Sequence, residues 1–184
     1  MKQLAYLLAD YRRLLGRHRI RALVVWTTRG FMGIALYRFE RSGYLSIGNS
    51  WSIVRLILLP LLLPLYAYAN ADIHYRADIG PGIKIMHSSL GLVVSKHAVI
   101  GRNVTFTGGN VVGARQGAVA GSVVIGDNCF FGPNACVIGP CRIGDHVNIA
   151  AGSVAVRDCV DDITLVGVPA SGMKRASQVS MEKQ

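Results

Sequence analysis

Four histidines in or beside a repeated part of the chain are the side chains best suited to proton transfer: His74, His87, His97 and His146. An alcohol is a poor nucleophile at neutral pH, and an imidazole with a pKa of about 6.5 can take its proton and so activate it. An isolated histidine in a repeat is more often a surface or core residue. The histidines alone therefore do not define a site.

The cysteines argue against a metal site. Cys129, Cys136, Cys141 and Cys159 follow one another at spacings of 7, 5 and 18 residues, which match no zinc pattern. We expect core thiols in a reducing, cytosolic compartment and no bound metal. The sequence also lacks a P-loop and a dinucleotide fingerprint.

A six-residue repeat must position these side chains. An apolar residue opens each repeat and a small or β-branched residue follows four positions later. The opening residues are Ile79, Ile85, Val94, Ile100, Phe106, Val112, Ile125, Phe131, Val137, Ile143, Ile149 and Ala155, and the inner ones include Ala98, Val104, Cys129, Ala135, Cys141, Val147 and Ser153. This period predicts short strands, three to a coil, stacked into a parallel β-helix, with many of the 21 glycines in turns of positive φ.

One stretch interrupts the repeat. The segment GARQGAVAGS, between Val112 and Ile125, lacks the hexad pattern. We expect a loop that leaves the β-helix there, and such loops often carry functional groups.

The first 70 residues differ from the rest in charge. They hold ten Lys and Arg against two acids, whereas residues 71–184 hold ten against eight. Leucines at helical spacing from Leu4 to Leu15, followed by Arg17, Arg19 and Arg21, predict a basic amphipathic helix. It packs either on its own protein or a neighbouring subunit, or on an anionic membrane surface. The basic residues lie among aliphatic runs without a nucleic-acid-reading motif, so we expect no nucleic-acid partner.

The stretch from Leu56 to Ala71 has no charged residue, but it is shorter than the about 20 residues of a spanning helix and contains Pro60 and Pro64. We expect a buried or interfacial segment. Trp26, Trp51, Tyr66 and Tyr68 suit a membrane interface and a subunit interface equally well.

The run from Asp72 to Ala170 resembles the catalytic part of serine acetyltransferases and related hexapeptide-repeat acyltransferases. The matching pieces are DIHYRADIGPGIKIMH, VIGDNCFFGPNACVIGPCRIGDHVNIAAGSV and the closing VGVPA. The aliphatic front half instead resembles colanic-acid-type exopolysaccharide acetyltransferases. The resemblance implies a mainly β, left-handed parallel β-helix over 71–170, preceded by a helical region over 1–70 and followed by a tail over 171–184. It also implies a homotrimer.

The resemblance implies that His87 is the general base and that Asp72, fifteen residues earlier, orients it. Met86 stands where serine acetyltransferases have a carboxylate, and Gly121 and Ser122 fall where the family has an Arg-His pair. Because a zwitterionic acceptor needs paired charges, we expect a sugar hydroxyl of an exopolysaccharide or lipid-linked glycan. The alternatives are L-serine, as in cysteine biosynthesis, and a non-catalytic β-helix scaffold.

The donor that the resemblance implies is acetyl-CoA. Its pantetheine arm is expected between neighbouring subunits, and its phosphates beside the basic residues that follow the closing VGVPA. The expected donor contacts are Gly113, Ala114, Ala151, Gly152, Ser153, Lys174 and Arg175. The sequence thus predicts a cytoplasmic O-acetyltransferase at the inner face of the cell membrane.

Overall fold

The computed structural model describes residues 2–16 and 22–174. Three helices come first: α1 (Lys2–Leu15), α2 (Arg29–Ile47) and α3 (Trp51–Ala69). Short 3₁₀ turns cover Val25–Thr27, Gly48–Ser50 and Ser88–Leu90. Of the basic residues expected on the first helix, Arg17, Arg19 and Arg21 lie outside the described residues.

Fifteen strands follow in three sheets, which form the sides of a prism. The first sheet contains β1 (Ala71–Ile73), β4 (Leu92–Val94), β7 (Asn110–Ala114), β10 (Cys136–Gly139) and β13 (Val154–Ala155). The second contains β2 (Asp78–Ile79), β5 (Ala98–Ile100), β8 (Val123–Ile125) and β11 (Cys141–Ile143). The third contains β3 (Lys84–Ile85), β6 (Thr105–Phe106), β9 (Phe130–Phe131), β12 (Asn148–Ile149), β14 (Ile163–Gly167) and β15 (Ala170–Lys174).

Strands β1 to β13 visit the three sheets in turn, and the pairs between strands of successive coils are parallel. For example, Ile73 pairs with Val94 and Val94 with Val112. This is the predicted parallel β-helix. The opening residues of the repeats point inward: Ile79, Phe106, Phe131, Val137 and Ile149 are fully buried. The inner small positions are buried as well, so the six-residue period identified the core.

Two corners of the prism depart from the period. The step from Ile85 to Val94, between the third and first sheets, contains the turn Ser88–Leu90. The step from Val112 to Ile125, between the first and second sheets, contains the expected loop, here residues 115–122. Both insertions leave the strands before and after them in register.

Helices α1 and α2 close the N-terminal end of the prism. Asp10, which is fully buried, accepts hydrogen bonds from the backbone N–H groups of Gly82 (2.6 Å) and Ile83 (2.8 Å) and from Arg38 Nε (2.9 Å). Arg38 also donates to the carbonyl of Ile79 at 2.7 Å. Arg38 donates to the carbonyl of Gly80 as well. The open end of a β-helix exposes unpaired backbone groups, and Asp10 and Arg38 together satisfy four of them. The first helix therefore packs on its own β-helix.

At the other end, β14 and β15 form an antiparallel hairpin. The chain from residue 171, which the sequence assigned to a tail, therefore continues as strand to Lys174.

Helix α3 runs without a break through Pro60 and Pro64. One side of it packs on α2, where Leu62 and Ala69 join Leu36 in a small apolar cluster. Most of the opposite side is exposed. Within one chain the segment from Leu56 to Ala71 is thus buried on one side and exposed on the other, and its interfacial role stays a prediction.

Candidate active site

His87 lies at the corner between β3 and β4, with its side chain exposed. The backbone on both sides of the imidazole is fixed. The His87 N–H donates to the carbonyl of Thr107 at 2.9 Å, and the His87 carbonyl accepts from the N–H of Leu90 at 3.0 Å. An exposed imidazole on a fixed backbone can meet a substrate in a defined position.

Gly108, in the coil above, allows this arrangement. Its φ is +133°, and a Cβ at this position would collide with the His87 carbonyl oxygen. The buried side chain of Asn110 holds the corner: its Oδ1 accepts from the Gly108 N–H at 2.9 Å, and its Nδ2 donates to the carbonyl of Gly132 at 2.7 Å. Sequence reasoning missed both residues, although the Gly108-Gly109 pair, in the repeat that Phe106 opens, was a signal for a special corner.

Asp72 lies in the middle of β1 with its side chain exposed. It lines a cavity of about 340 Å³ together with Arg55, Tyr66 and Asn70, whereas His87 does not line that cavity. Among residues 2–16 and 22–174, no hydrogen bond joins Asp72 to His87. The two segments are linked nearby, because the Asn70 side chain donates to the carbonyl of Ser89 at 3.0 Å. The orienting role of Asp72 stays a prediction.

His74 has a structural role. Its ring stacks on Tyr75 at 4.5 Å between centroids, and its Nδ1 accepts from the N–H of Arg76 at 3.1 Å. Partial burial and the cations Arg76, Arg55 and Lys96 lower the pKa of His74. This imidazole is therefore held neutral by its own surroundings.

The residues at the two places that the family resemblance singled out for the acceptor, Met86 and the pair Gly121 and Ser122, carry no charge. Met86 is 47% exposed beside His87. Gly121 has a φ of +75°, and its N–H donates to the carbonyl of His97 at 3.1 Å. The Ser122 hydroxyl is buried and has no hydrogen-bond partner within the described part of the chain. The loop thus ends against His97, away from the His87 corner.

The expected donor contacts lie on two edges of the prism. Ala151, Gly152 and Ser153 form the corner between β12 and β13, which is the same edge as His87, three coils further along. At about 4.8 Å per coil, this corner is about 14 Å from His87. Gly113 and Ala114 end β7, at the edge between the first and second sheets.

The His87 edge, meaning the corners at 86–91, 107–109, 132–135 and 150–153, is open and rich in glycine. Gly152 has a φ of +67° with open space around its Cα. Ser153 is buried, and its hydroxyl accepts from the N–H of Gly167 at 3.0 Å. Lys174 is the last residue of β15, and Arg175 lies outside the described residues. An extended chain can lie along this edge against backbone atoms.

The cysteines lie within the β-helix as free thiols. Burial raises the pKa of Cys129 and of Cys141 to about 11. These thiols are therefore protonated near neutral pH and are poor nucleophiles and metal ligands. In the part of the chain that the structure describes, no group of three or more His, Cys, Asp or Glu side chains could hold a metal ion.

Residues 122–155 match the family model described as bacterial transferase hexapeptide (six repeats). Serine acetyltransferase of Synechococcus elongatus is 36% identical over 124 residues, which are 62% of this chain and 48% of that protein. The chain spans about half the length of the curated serine acetyltransferases it matches.

Solved structures extend the similarity to the helices. Neisseria gonorrhoeae serine acetyltransferase matches with a TM-score of 0.78 at 27% identity, over 99% of this chain and 70% of that one. Soybean serine acetyltransferase complexed with serine matches with a TM-score of 0.78 at 28% identity, over 94% and 70%.

The fold and the repeats define a hexapeptide-repeat β-helix, and residues 122–155 match the bacterial transferase hexapeptide model. Within that class, the chain is similar to serine acetyltransferases over both its helices and its β-helix. The comparisons do not support the expected closeness of the front half to exopolysaccharide acetyltransferases.

Proposed function

We propose that the chain is an O-acetyltransferase that moves an acetyl group from acetyl-CoA to a hydroxyl, with His87 as the general base. The observation that carries this proposal is the exposed imidazole of His87 on a fixed backbone, at the start of an open, glycine-rich edge. The similarity to serine acetyltransferases supports the donor and the reaction type.

In the proposed reaction, the His87 imidazole takes the hydroxyl proton while the hydroxyl oxygen attacks the thioester carbonyl carbon. The tetrahedral intermediate then collapses, the carbon–sulfur bond breaks, and the proton passes from His87 to the thiolate of CoA. The products are an acetyl ester and CoA with a free thiol, and the imidazole returns neutral.

The edge geometry supports an extended donor. The His87 corner and the corner at Ala151–Ser153 are about 14 Å apart. This distance gives room for an extended chain along the backbone of the edge. Gly152 lacks a side chain at the point where backbone contact is expected, and its φ of +67° favours glycine there.

L-serine is the acceptor that the comparisons favour. The relatives and solved structures named above are serine acetyltransferases, and the soybean structure contains serine. This reverses the order of preference drawn from the sequence, in which a sugar hydroxyl came first.

A sugar hydroxyl remains a second candidate because of one specific observation. Met86 and the loop residues Gly121 and Ser122 provide no charge where a zwitterion would need it. A neutral hydroxyl needs no such pairing. Measuring CoA release from acetyl-CoA with L-serine and with a panel of sugars separates the two. Turnover of L-serine alone supports the first candidate, and turnover of a sugar without L-serine turnover supports the second.

His87→Ala tests the base. We expect its kcat to fall by about 10²- to 10⁴-fold with the better acceptor, because general-base catalysis is lost. His146→Asn is the matched control, since His146 is an exposed histidine with a φ of +57°, which asparagine tolerates. Unchanged CoA release by His87→Ala would remove the mechanism, and a purified protein without transfer to any acceptor would favour the scaffold alternative.

A further inference from the structure

Helix α3 presents an apolar stripe that no other part of residues 2–16 and 22–174 covers. The α3 outer face consists of Ile53, Leu56, Ile57, Leu61 and Tyr68, which recur at helical spacing on one side. Ile57 is 73% exposed and Leu61 is 69% exposed. Contiguous exposed apolar surface of this kind marks an interaction site.

Helix α3 lies along the surface of the protein, with the α3 outer face exposed. The other side of α3 packs on α2 through Leu58, Leu62, Leu65 and Ala69. By length and composition alone, the described residues hold one helical stretch, Arg29–Ala69, that could cross a membrane. Crossing would pull α3 away from that cluster on α2, whereas contact along the surface leaves the cluster intact.

The exposed charge that the helices themselves contribute has one sign. The first 70 residues contain two acids, Asp10 and Glu40. Both are buried, Asp10 against Arg38 and Glu40 against Arg55 at 2.6 Å. The described helices therefore expose no carboxylate side chain.

Several exposed cations of the described helices are not paired with a carboxylate. Lys2, Arg12 and Arg29 are all exposed. The surface that a partner of the helical region meets is thus apolar and positively charged.

One end of the α3 outer face combines aromatic, apolar and basic groups. The Arg29 guanidinium lies 5.4 Å from the centre of the Tyr68 ring, and the Tyr68 hydroxyl donates to the carbonyl of Thr27. Trp26 is 55% exposed and Leu23 is 83% exposed. Tryptophan, tyrosine and arginine with exposed aliphatic residues are typical of the boundary between lipid headgroups and acyl chains.

We propose that the α3 outer face, together with Leu23 and Trp26, docks on an anionic membrane surface, with α3 lying in the plane of the headgroups. The apolar side chains enter the acyl boundary, and Arg29, beside Tyr68, meets lipid phosphates. A second copy of the chain fits less well, because it brings the same positive charge to the contact. This proposal is independent of the acetyl acceptor.

The test is flotation of the purified full chain with vesicles. Vesicles containing phosphatidylglycerol should carry the protein upward, and vesicles of phosphatidylcholine alone should carry much less. We expect Ile57→Glu to weaken binding about tenfold or more, since it places a charge in the apolar stripe. Val160→Glu is the matched control, because Val160 is 72% exposed on the β-helix, and it should bind like the wild type.

A second arm tests the charge. Arg29→Gln should reduce the preference for phosphatidylglycerol, and salt should weaken binding, since surface electrostatics are screened. Binding to neither vesicle, or equal binding of Ile57→Glu and the wild type, would overturn the proposal.

Light scattering without lipid tests whether a second copy of the chain covers the α3 outer face instead. A smaller assembly of Ile57→Glu than of the wild type, with no flotation of either, would assign the α3 outer face to contact between copies and would also overturn the proposal. CoA release with a soluble acceptor, measured in parallel, should be unchanged by Ile57→Glu, so a failure of docking is distinguishable from a failure of the proposed reaction.

Discussion

At the residue scale, a general base must present its imidazole in the same place at every turnover. His87 is exposed, so its position depends on its backbone, which is held by Thr107 and Leu90. Gly108 contributes by lacking a side chain where one would collide with the His87 carbonyl. The positioning role of Gly108 follows from its contact with His87 in the neighbouring coil, which only the folded structure shows.

We predict that Gly108→Ala lowers kcat/KM for acetyl transfer about tenfold or more. The methyl group must displace the His87 carbonyl, and alanine at a φ of +133° is strained by about 1–3 kcal/mol. CoA release measured beside thermal unfolding separates the displacement of His87 from general destabilisation.

Gly117→Ala is the matched control for this prediction. Gly117 has a φ of +82° in the loop over 115–122, with open space around its Cα. It should lose some stability and keep its activity. Full activity of Gly108→Ala would show that the His87 corner tolerates the shift.

At the element scale, α2 is held to the first coil by buried polar contacts. The Tyr37 hydroxyl, on a side chain that is 2% exposed, donates to the carbonyl of Ala77 at 2.9 Å and accepts from the N–H of Ile79 at 3.1 Å. Burial raises the pKa of Tyr37 to about 12. Because this hydroxyl satisfies backbone groups at the open end of the prism, its ionisation bears on the stability of the whole fold.

We predict that Tyr37→Phe lowers the free energy of unfolding by about 1–3 kcal/mol near neutral pH, since two buried backbone groups lose their partner. In the wild type, the unfolded tyrosine ionises near pH 10 and the folded one near 12. The stability from this group is therefore complete below about pH 10 and is lost as the pH rises through 12.

Urea unfolding at pH 8 and pH 11 provides the measurement. The wild type should lose more stability between the two pH values than Tyr37→Phe does. Burial also raises the pKa of Tyr66, and that contribution cancels because both proteins contain Tyr66. Equal losses in the two proteins would contradict the assigned role.

The elements also show what the sequence could predict. The strands were predictable because each repeat places one apolar residue toward the axis, and Ile125, Phe131 and Val137 are all buried. The cap on the prism was not predictable. Asp10 and Arg38 are 28 residues apart, and nothing in either helix signals that they meet on the first coil.

The same limit applies to the candidate site. A motif identified His87, but the support from Gly108 and Asn110 comes from the next coil. The orienting role of Asp72 stays a prediction, because no hydrogen bond joins it to His87 among the described residues. Local period fixes which residues point inward. It does not fix which side chains meet at the corners, where insertions change the path.

At the scale of the whole molecule, the residues expected to hold the donor lie on two different edges of one chain. Ala151, Gly152 and Ser153 share an edge with His87, whereas Gly113 and Ala114 lie on another edge of the prism. A single prism cannot bring two of its edges together, because the packed core lies between them. If both sets of residues contact one acetyl-CoA, as expected for a donor that lies between subunits of the predicted homotrimer, two copies of the chain must supply them.

We therefore predict complementation between two inactive variants, His87→Ala and Gly113→Leu. The leucine lies on the outer face of β7, where Val112 and not Gly113 is buried, so it should obstruct the donor without filling the core. Each variant alone should release little CoA. Mixed assemblies obtained by co-expression contain some interfaces in which an intact His87 from one copy faces an intact Gly113 from another, and these should regain activity. Light scattering of the same samples establishes that the copies assemble. If assembled mixtures stay as inactive as the separate variants, His87 of one copy and Gly113 of another do not form a shared donor site, and the prediction is wrong.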